Sequence, residues 1–359
     1  MRTRSTITSL RNLWLSPTCP KTICLLEFPG APDTVDTALP GDPHESSSGI
    51  KIRVWQPSEL GAMLSLCQLG FDQGALSEDD LELCFLPGEA EPSVVLGTDD
   101  HMACAVFRIL DAASPTSSEL HRVARVELLV THPGRRRRGL ARQLLLAGER
   151  WAQKNEVTQL VVGGARPVGV FSGVDLRWTA ALCLAESMGY ERQGIAVDLS
   201  CATVQSARIP APAGVQIARV ESDTQVEELL RLVQENAPAE LGNFLRAASA
   251  GTALIAVGPE NRGVRCVAAH SVYRLGVIGP VVFAGQTGAA NEMLQHDSDR
   301  VAMLSAVVAM MRSDLAVAGL TTVEILGEDC ISDYVAACAA RTSRVSQVFS
   351  WDLSNLRAE

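Results

Sequence analysis

Apolar positions in this chain follow two periods, about 2 and about 3.6 residues, and these alternate in the same order twice. In the first half, Lys51–Trp55 (KIRVW) reads as a strand and Leu60–Leu69 as a helix capped near Ser58. An acidic helix opens at Ser77, where Ser-Glu-Asp-Asp offers a capping box. Ser93–Leu96 and His101–Leu110 are strands around a Gly97–Asp100 turn. The polar loop Asp111–Leu120 then leads to a Val- and Leu-rich strand, Val123–Val130. Pro133-Gly134 stops that strand, because proline donates nothing to a ladder and glycine permits a sharp turn. Beyond it Leu140, Leu144, Ala147, Gly148 and Trp151 recur at helical spacing, with Arg142, Gln143, Glu149 and Arg150 mostly on the other side. Gln159–Val162 is a strand ending at Gly163-Gly164, Leu176–Met188 a helix closed by Gly189, and Tyr190–Ser200 a strand pair.

The second half repeats the order. Val215–Val220 is a strand, Thr224–Glu235 and Phe244–Ala250 are helices, and Thr252–Val257, Val264–Tyr273 and Gly279–Ala284 are strands. A long helix, Arg300–Ala318, precedes the strand Thr322–Leu326, the helix Ile331–Ala340 and a final strand pair, Arg344–Leu353. Such self-similarity, with a length that suits two cores, predicts two mixed α/β (α+β) domains, 50–205 and 206–359, meeting in the Ala/Pro-rich Ser206–Gly214. Residues 1–49 stand apart: Arg2, Arg4, Arg11 and Lys21 with no acid before Glu27, then a Pro/Gly/Asp/Ser tract. They are expected to be a disordered or targeting-like extension. No apolar run approaches the ~20 residues of a membrane span, so none is expected.

Composition narrows the chemistry. A net charge of −10 with a single dense basic tract, Arg135–Arg138, argues against nucleic acid and leaves a local positive island suited to an anionic cofactor. Ten cysteines without Cys-x-x-Cys pairs or nearby histidines read as reduced thiols of a cytoplasmic protein, with no metal site. Between the strand ending at Val130 and the helix opening near Leu140, the basic, glycine-bearing loop makes an anion seat. A helix start leaves about four N–H groups unpaired and carries roughly half a positive charge. Gly139 and Ala141 let a phosphate or pyrophosphate approach the backbone. The loop has neither the ending of a nucleoside-triphosphatase P-loop nor the three glycines of a dinucleotide fingerprint.

Arg136-Arg137-Arg138-Gly139-Leu140-Ala141, preceded by Pro133, resembles the pyrophosphate loop of the GNAT acyltransferases, Arg/Gln-x-x-Gly-x-Gly/Ala. The element order over about residues 50–200 is also the GNAT order. The resemblance implies two tandem GNAT-like acyl-CoA N-acyltransferase domains, as in proteins resembling mycothiol synthase. The second copy would have lost cofactor binding, since GQTGAANEMLQHDSDR, at the loop's place, has Glu292, Asp297 and Asp299 and no such spacing. It further implies acetyl-CoA or another acyl-CoA as co-substrate. Leu129, Val130 and Thr131 would hold the pantetheine arm and thioester, and Arg136, Arg137, Arg138, Gly139, Leu140 and Ala141 the pyrophosphate.

An amine acceptor arrives mostly protonated, so a base is needed. Glu127 is the candidate, its structural alternative being a salt bridge to Arg125; His132 and Asp175 are lesser ones. Aligning Gly189-Tyr190 with the family's Gly-Phe puts Trp178 where the resemblance expects Asn, and Ala185 where it expects the tyrosine acid; Tyr334 would have to reach across. Acidic Asp79, Asp80, Glu82, Glu89 and Glu91 hint at a cationic acceptor. Two functions follow from this: an N-acyltransferase acting on a small-molecule amine, as a monomer or weak homodimer, or a non-catalytic acyl-CoA-binding module.

Overall fold

The computed structural model describes residues 51–71, 76–85, 92–113, 120–164, 169–204, 211–258, 263–272, 274–285, 298–327 and 330–354. The expectations for residues 1–49, Glu89, Glu91 and the loop 286–297 lie outside them. The first half runs β1 (Ile52–Val54), α1 (Leu60–Gly70), α2 (Glu78–Phe85), β2 (Ser93–Thr98), β3 (Ala103–Ala113), β4 (Leu120–Thr131), α3 (Leu140–Lys154), β5 (Gln159–Val162), β6 (Val174–Asp175), α4 (Thr179–Ser187) and β7 (Glu191–Ala202). The second runs β8 (Gln216–Arg219), α5 (Asp223–Asn236), α6 (Leu241–Ala250), β9 (Ala253–Val257), β10 (Val264–His270), β11 (Val277–Phe283), α7 (Ser298–Val317), β12 (Thr322–Ile325), α8 (Ile331–Cys338) and β13 (Arg341–Asp352).

The thirteen strands of the described residues join one mixed sheet in the order β1-β2-β3-β4-β5-β13-β7-β12-β11-β10-β9-β8, with β6 on β13. The arrangement is the same from either end. Three antiparallel steps lead to a parallel pair, β4·β5 or β11·β12, and then to an antiparallel step onto the last strand of the other half. Each half therefore gives its final strand away. β13 fills the place beside β5, β7 the place beside β12, and the two pair with each other between them. The segments expected as strand pairs are each one twelve-residue strand, since their partners are each other.

The core is layered on both faces of the sheet. In the first half α1 buries Met63, Leu66 and Cys67 against Cys104, Val106, Leu128 and Val130. On the opposite face α3 buries Leu144, Leu145 and Ala147 against Phe107, Ile109 and Val126, with Phe349 of β13 in the same cluster. Gly148 permits this contact, because a Cβ there would stand 2.1 Å from the Phe107 ring. Leu199 and Cys201 of β7 belong in turn to the core under α7. Among the described cysteines none is bridged, and Cys183 is exposed.

The start of α1 differs from expectation. Pro57 opens a 3-10 turn (Pro57–Glu59), and the Glu59 carboxylate accepts the Gln56 amide at 2.9 Å, so Ser58 caps nothing. Glu59 also accepts two hydrogen bonds from Arg53, at 2.5 and 2.8 Å, and lies 2.7 Å from His101. The Arg53 hydrogen bonds, outweighing desolvation, bring its carboxyl down to about 2. A depressed carboxylate contributes stability above its unfolded pKa, about 4.3, and loses it as pH falls through the folded value. Glu59→Gln is expected to flatten the decline in urea midpoint between pH 5 and pH 2; an unchanged pH profile would refute this.

Candidate active site

β4 is the strand that makes the site. Its ladder with β3 pairs Val126 with Phe107 and Leu128 with Val106, leaving Glu127 as the extra residue of a bulge. The bulge shifts the side-chain alternation by one. Ala124, Val126 and Leu129 face the α3 layer, whereas Leu128 and Val130 face the α1 layer. On its other side β4 meets β5 only at Ala124–Leu160 and Arg125–Val161. Beyond that rung no described strand pairs with β4, and a cleft of about 650 Å³, counting its open mouth, lies between the strands. Val126–Leu129, Leu145 of α3, Ala181, Leu184 and Ala185 of α4, and the aromatic group Phe71, Phe171 and Trp178 line it. Those three rings pack at centroid distances of 5.2–5.6 Å.

Glu127 is buried on the cleft wall and clamped. Its Oε1 accepts from Arg125 Nη2 at 2.5 Å and Nε at 3.0 Å, and Arg108 Nε lies 3.8 Å away. Oε2 accepts the Val170 amide at 3.4 Å. Burial pushes this carboxyl up, but the charges of Arg125 and Arg108, with these hydrogen bonds, outweigh it and hold the group below the usual carboxylate range. Gly169 is required beside it, since a Cβ there would meet Oε2 at 2.0 Å. Tyr190 also lines the cleft; its hydroxyl donates to Glu149 at 2.8 Å. Burial raises both, the neighbouring Glu149 charge raising the tyrosine further.

β4 leads straight into the arginine loop. His132 Nδ1 accepts the Gly134 amide, so this imidazole serves the turn Pro133–Arg135. Arg137 (φ +62°) and Gly139 (φ +80°) are left-handed, which curls the backbone under the start of α3. The first hydrogen bond of α3 is Gln143 N–H to Gly139 C=O, so the amides of Leu140, Ala141 and Arg142 precede any helical partner. Arg136 donates to the Gly70 carbonyl at the end of α1, and Arg135 lies 3.6 Å from Asp100, while Arg137 and Arg138 on the same loop are exposed. Nothing stands within 4 Å of a Cβ at Gly139, so the approach to these amides is open.

The acetyltransferase (GNAT) family model matches residues 67–168, the span holding the bulged strand and this loop. This region is a GNAT acetyltransferase domain. No curated protein matches the sequence. Solved structures share the fold over both halves. The GCN5-related glucosamine N-acetyltransferase region of a fungal multi-domain β-N-acetylglucosaminidase superposes at TM-score 0.65 and 14% identity, over 84% of this chain and 38% of that one. A tandem GNAT protein from the clavulanic acid biosynthesis pathway gives 0.57 at 18% identity, over 85% and 98%. A GCN5-related N-acetyltransferase from Sphaerobacter thermophilus gives 0.58 at 17%, over 85% and 96%.

Not every candidate residue joins the cleft of the GNAT domain. Leu129 lines it, Val130 is buried on the α1 side, and Thr131 closes the open edge at the loop. Asp175 neither caps α4 nor lines the cleft: it is buried against Arg177, with Arg344 of β13 3.4 Å away. Asp80 is occupied at both oxygens, by the Ser77 amide and, at 3.3 Å, by the Leu275 amide of the second half. Tyr334 is buried in the second half's core and does not line the cleft. Counting from the parallel rungs, Gly279-Pro280 of β11 stand where β4 has Val126-Glu127, so the second half has no carboxylate there. Sequence reading missed Arg108 and the aromatic trio; a lone arginine inside an apolar strand was the available signal for the first.

Proposed function

We propose that the chain is a cytoplasmic N-acyltransferase that moves the acetyl, or another acyl, group of acetyl-CoA to the amine of a small molecule. Residues 50–205 form its acyl-CoA domain and 206–359 a degenerate copy, in a monomer or weak homodimer without nucleic-acid partners. The carrying observation is that the unpaired edge of β4 runs directly into a helix start whose first amides lack helical partners. The seat at Arg136–Ala141 takes the pyrophosphate, and Leu129–Thr131 take the arm. Backbone donors aimed at a developing oxyanion contribute about 3 kcal/mol each. Glu127, ionised at neutral pH, accepts the acceptor's proton through water; its depressed pKa makes it a weak base. A thiol of pKa about 8.5 leaves without a dedicated acid. Among the described residues no helix is long and apolar enough to cross a membrane.

Free-thiol release from acetyl-CoA on adding an amine panel, with Glu127→Gln as control, tests this. The clamp on Glu127 favours the second reading, a non-catalytic acyl-CoA-binding protein, and tight binding without release would establish it. Gly139→Val tests the seat itself. Its Cβ meets nothing, so the change adds only about 1–2 kcal/mol of left-handed strain, while its branches cover the amides. Calorimetry is expected to show CoA binding at least tenfold weaker with the fold retained; unchanged affinity would remove the seat.

A further inference from the structure

We propose that the inner end of the cleft is an acyl pocket for an alkyl chain longer than acetyl, an inference that rests on the acyl-CoA reading above. Val126 and Val162 are the first residues past the last β4–β5 rung, so they mark the closed end of the splay. An arm lying on the open edge from Thr131 back to Val126 spans five residue steps, about 17 Å at the strand rise. That length, comparable to an extended pantetheine arm, carries the acyl group to this closed end.

What waits there is hydrocarbon. Leu145 and Leu184 contribute aliphatic wall, and Ala181 and Ala185 present only methyl groups from α4. Ala185 is buried at 6% exposure, so the space in front of it is a recess and not open surface. Besides the Trp178 indole in the aromatic group, the polar lining side chains are Glu127, which is held by Arg125, and Tyr190, whose hydroxyl is engaged on Glu149. Neither is left to solvate a small polar group at the recess. An acetyl methyl leaves such a lining in contact with water, whereas each further methylene removes apolar surface from it.

The chemistry is the same for any chain length. The acceptor nitrogen's lone pair forms the C–N bond at the thioester carbonyl, and the C–S bond breaks with its electrons going to sulfur. The proton given up by the amine ends on the thiolate, leaving an amide and a free thiol. The pocket therefore acts on which thioester binds.

Calorimetric titration of the full chain with CoA, acetyl-CoA, butyryl-CoA and hexanoyl-CoA tests the proposal without an identified acceptor. Butyryl-CoA is expected to bind about tenfold more tightly than acetyl-CoA, the order for two buried methylenes, and hexanoyl-CoA at least as tightly. Ala185→Leu fills the recess and should bring hexanoyl-CoA back to the acetyl level. Ala181→Leu, at a half-buried position, gives the same readout should the first variant fold poorly. Equal affinities for acetyl-CoA and butyryl-CoA in the parent protein overturn the pocket. The absence of any CoA binding instead overturns the acyl-CoA reading beneath it, so the two failures are distinct.

Discussion

Glu127→Ala is expected to destabilise the protein by about 3–5 kcal/mol, the range for removing one partner of a buried ion pair. The structure makes the reason specific. Arg108 and Arg125 are direct cross-strand partners on β3 and β4, a placement in which like charges repel. Glu127, thrown out of the ladder by the bulge, reaches both guanidinium groups through one oxygen. Arg125 is 3% exposed, so water cannot replace the carboxylate once it is gone. Urea unfolding of the alanine variant measures the loss. The double variant Arg125→Met/Glu127→Leu should recover most of it, because an apolar pair of similar volume often equals a buried salt bridge. A single-variant loss below about 1 kcal/mol would mean the clamp is not the structural feature described.

The same clamp governs how activity in Glu127 variants is to be understood. Glutamine keeps the shape and removes the charge, so turnover in Glu127→Gln has to be compared with its unfolding midpoint at the same pH. The depressed carboxyl contributes stability above the ordinary glutamate range, and that contribution is lost as pH falls below it. A rate loss that survives correction for the folded fraction belongs to proton transfer; one that vanishes belongs to the scaffold.

What was legible in the sequence was local. The apolar run before Pro133, the turn, the glycine at the helix start and the amphipathic face of α3 each depend on neighbours within a few residues, and each stands close to where the pattern put it. The bulge was not legible, because strict alternation would set Leu128 with Val126, and one inserted residue separates them. The acidic side chain of Asp80 suggested a cationic substrate, yet the capping signal at Ser77 already accounts for one of its oxygens. Glycine 139 was visible as a residue type; that Arg137 shares its left-handed backbone was not. Partner choice in the sheet was hidden altogether, since alternation in 191–202 and 341–352 identifies strands and says nothing of which strand lies alongside.

Phe349→Ala follows from that hidden choice and is expected to cost about 3–5 kcal/mol, felt in the half that does not encode it. Phe349 lies on β13, opposite Val162 of β5 and Arg192 of β7, and is fully buried among Phe107, Leu144 and Leu160 of the first half. Leu199 of β7 is equally buried in the second half's core. Each core is thus closed by a strand from the other, so neither is complete until both have formed, and the halves should unfold in one transition. Hydrogen exchange can read this directly. In the Phe349→Ala protein the amides of α3 and β5 should lose protection together with those of β13. First-half amides that keep parental protection, or two separate unfolding transitions in the parent, would show that the exchanged strands do not couple the halves. Coupling of this kind gives the second half a physical use toward the first: its last strand, β13, pairs with β5 and completes the wall against which the cleft is built.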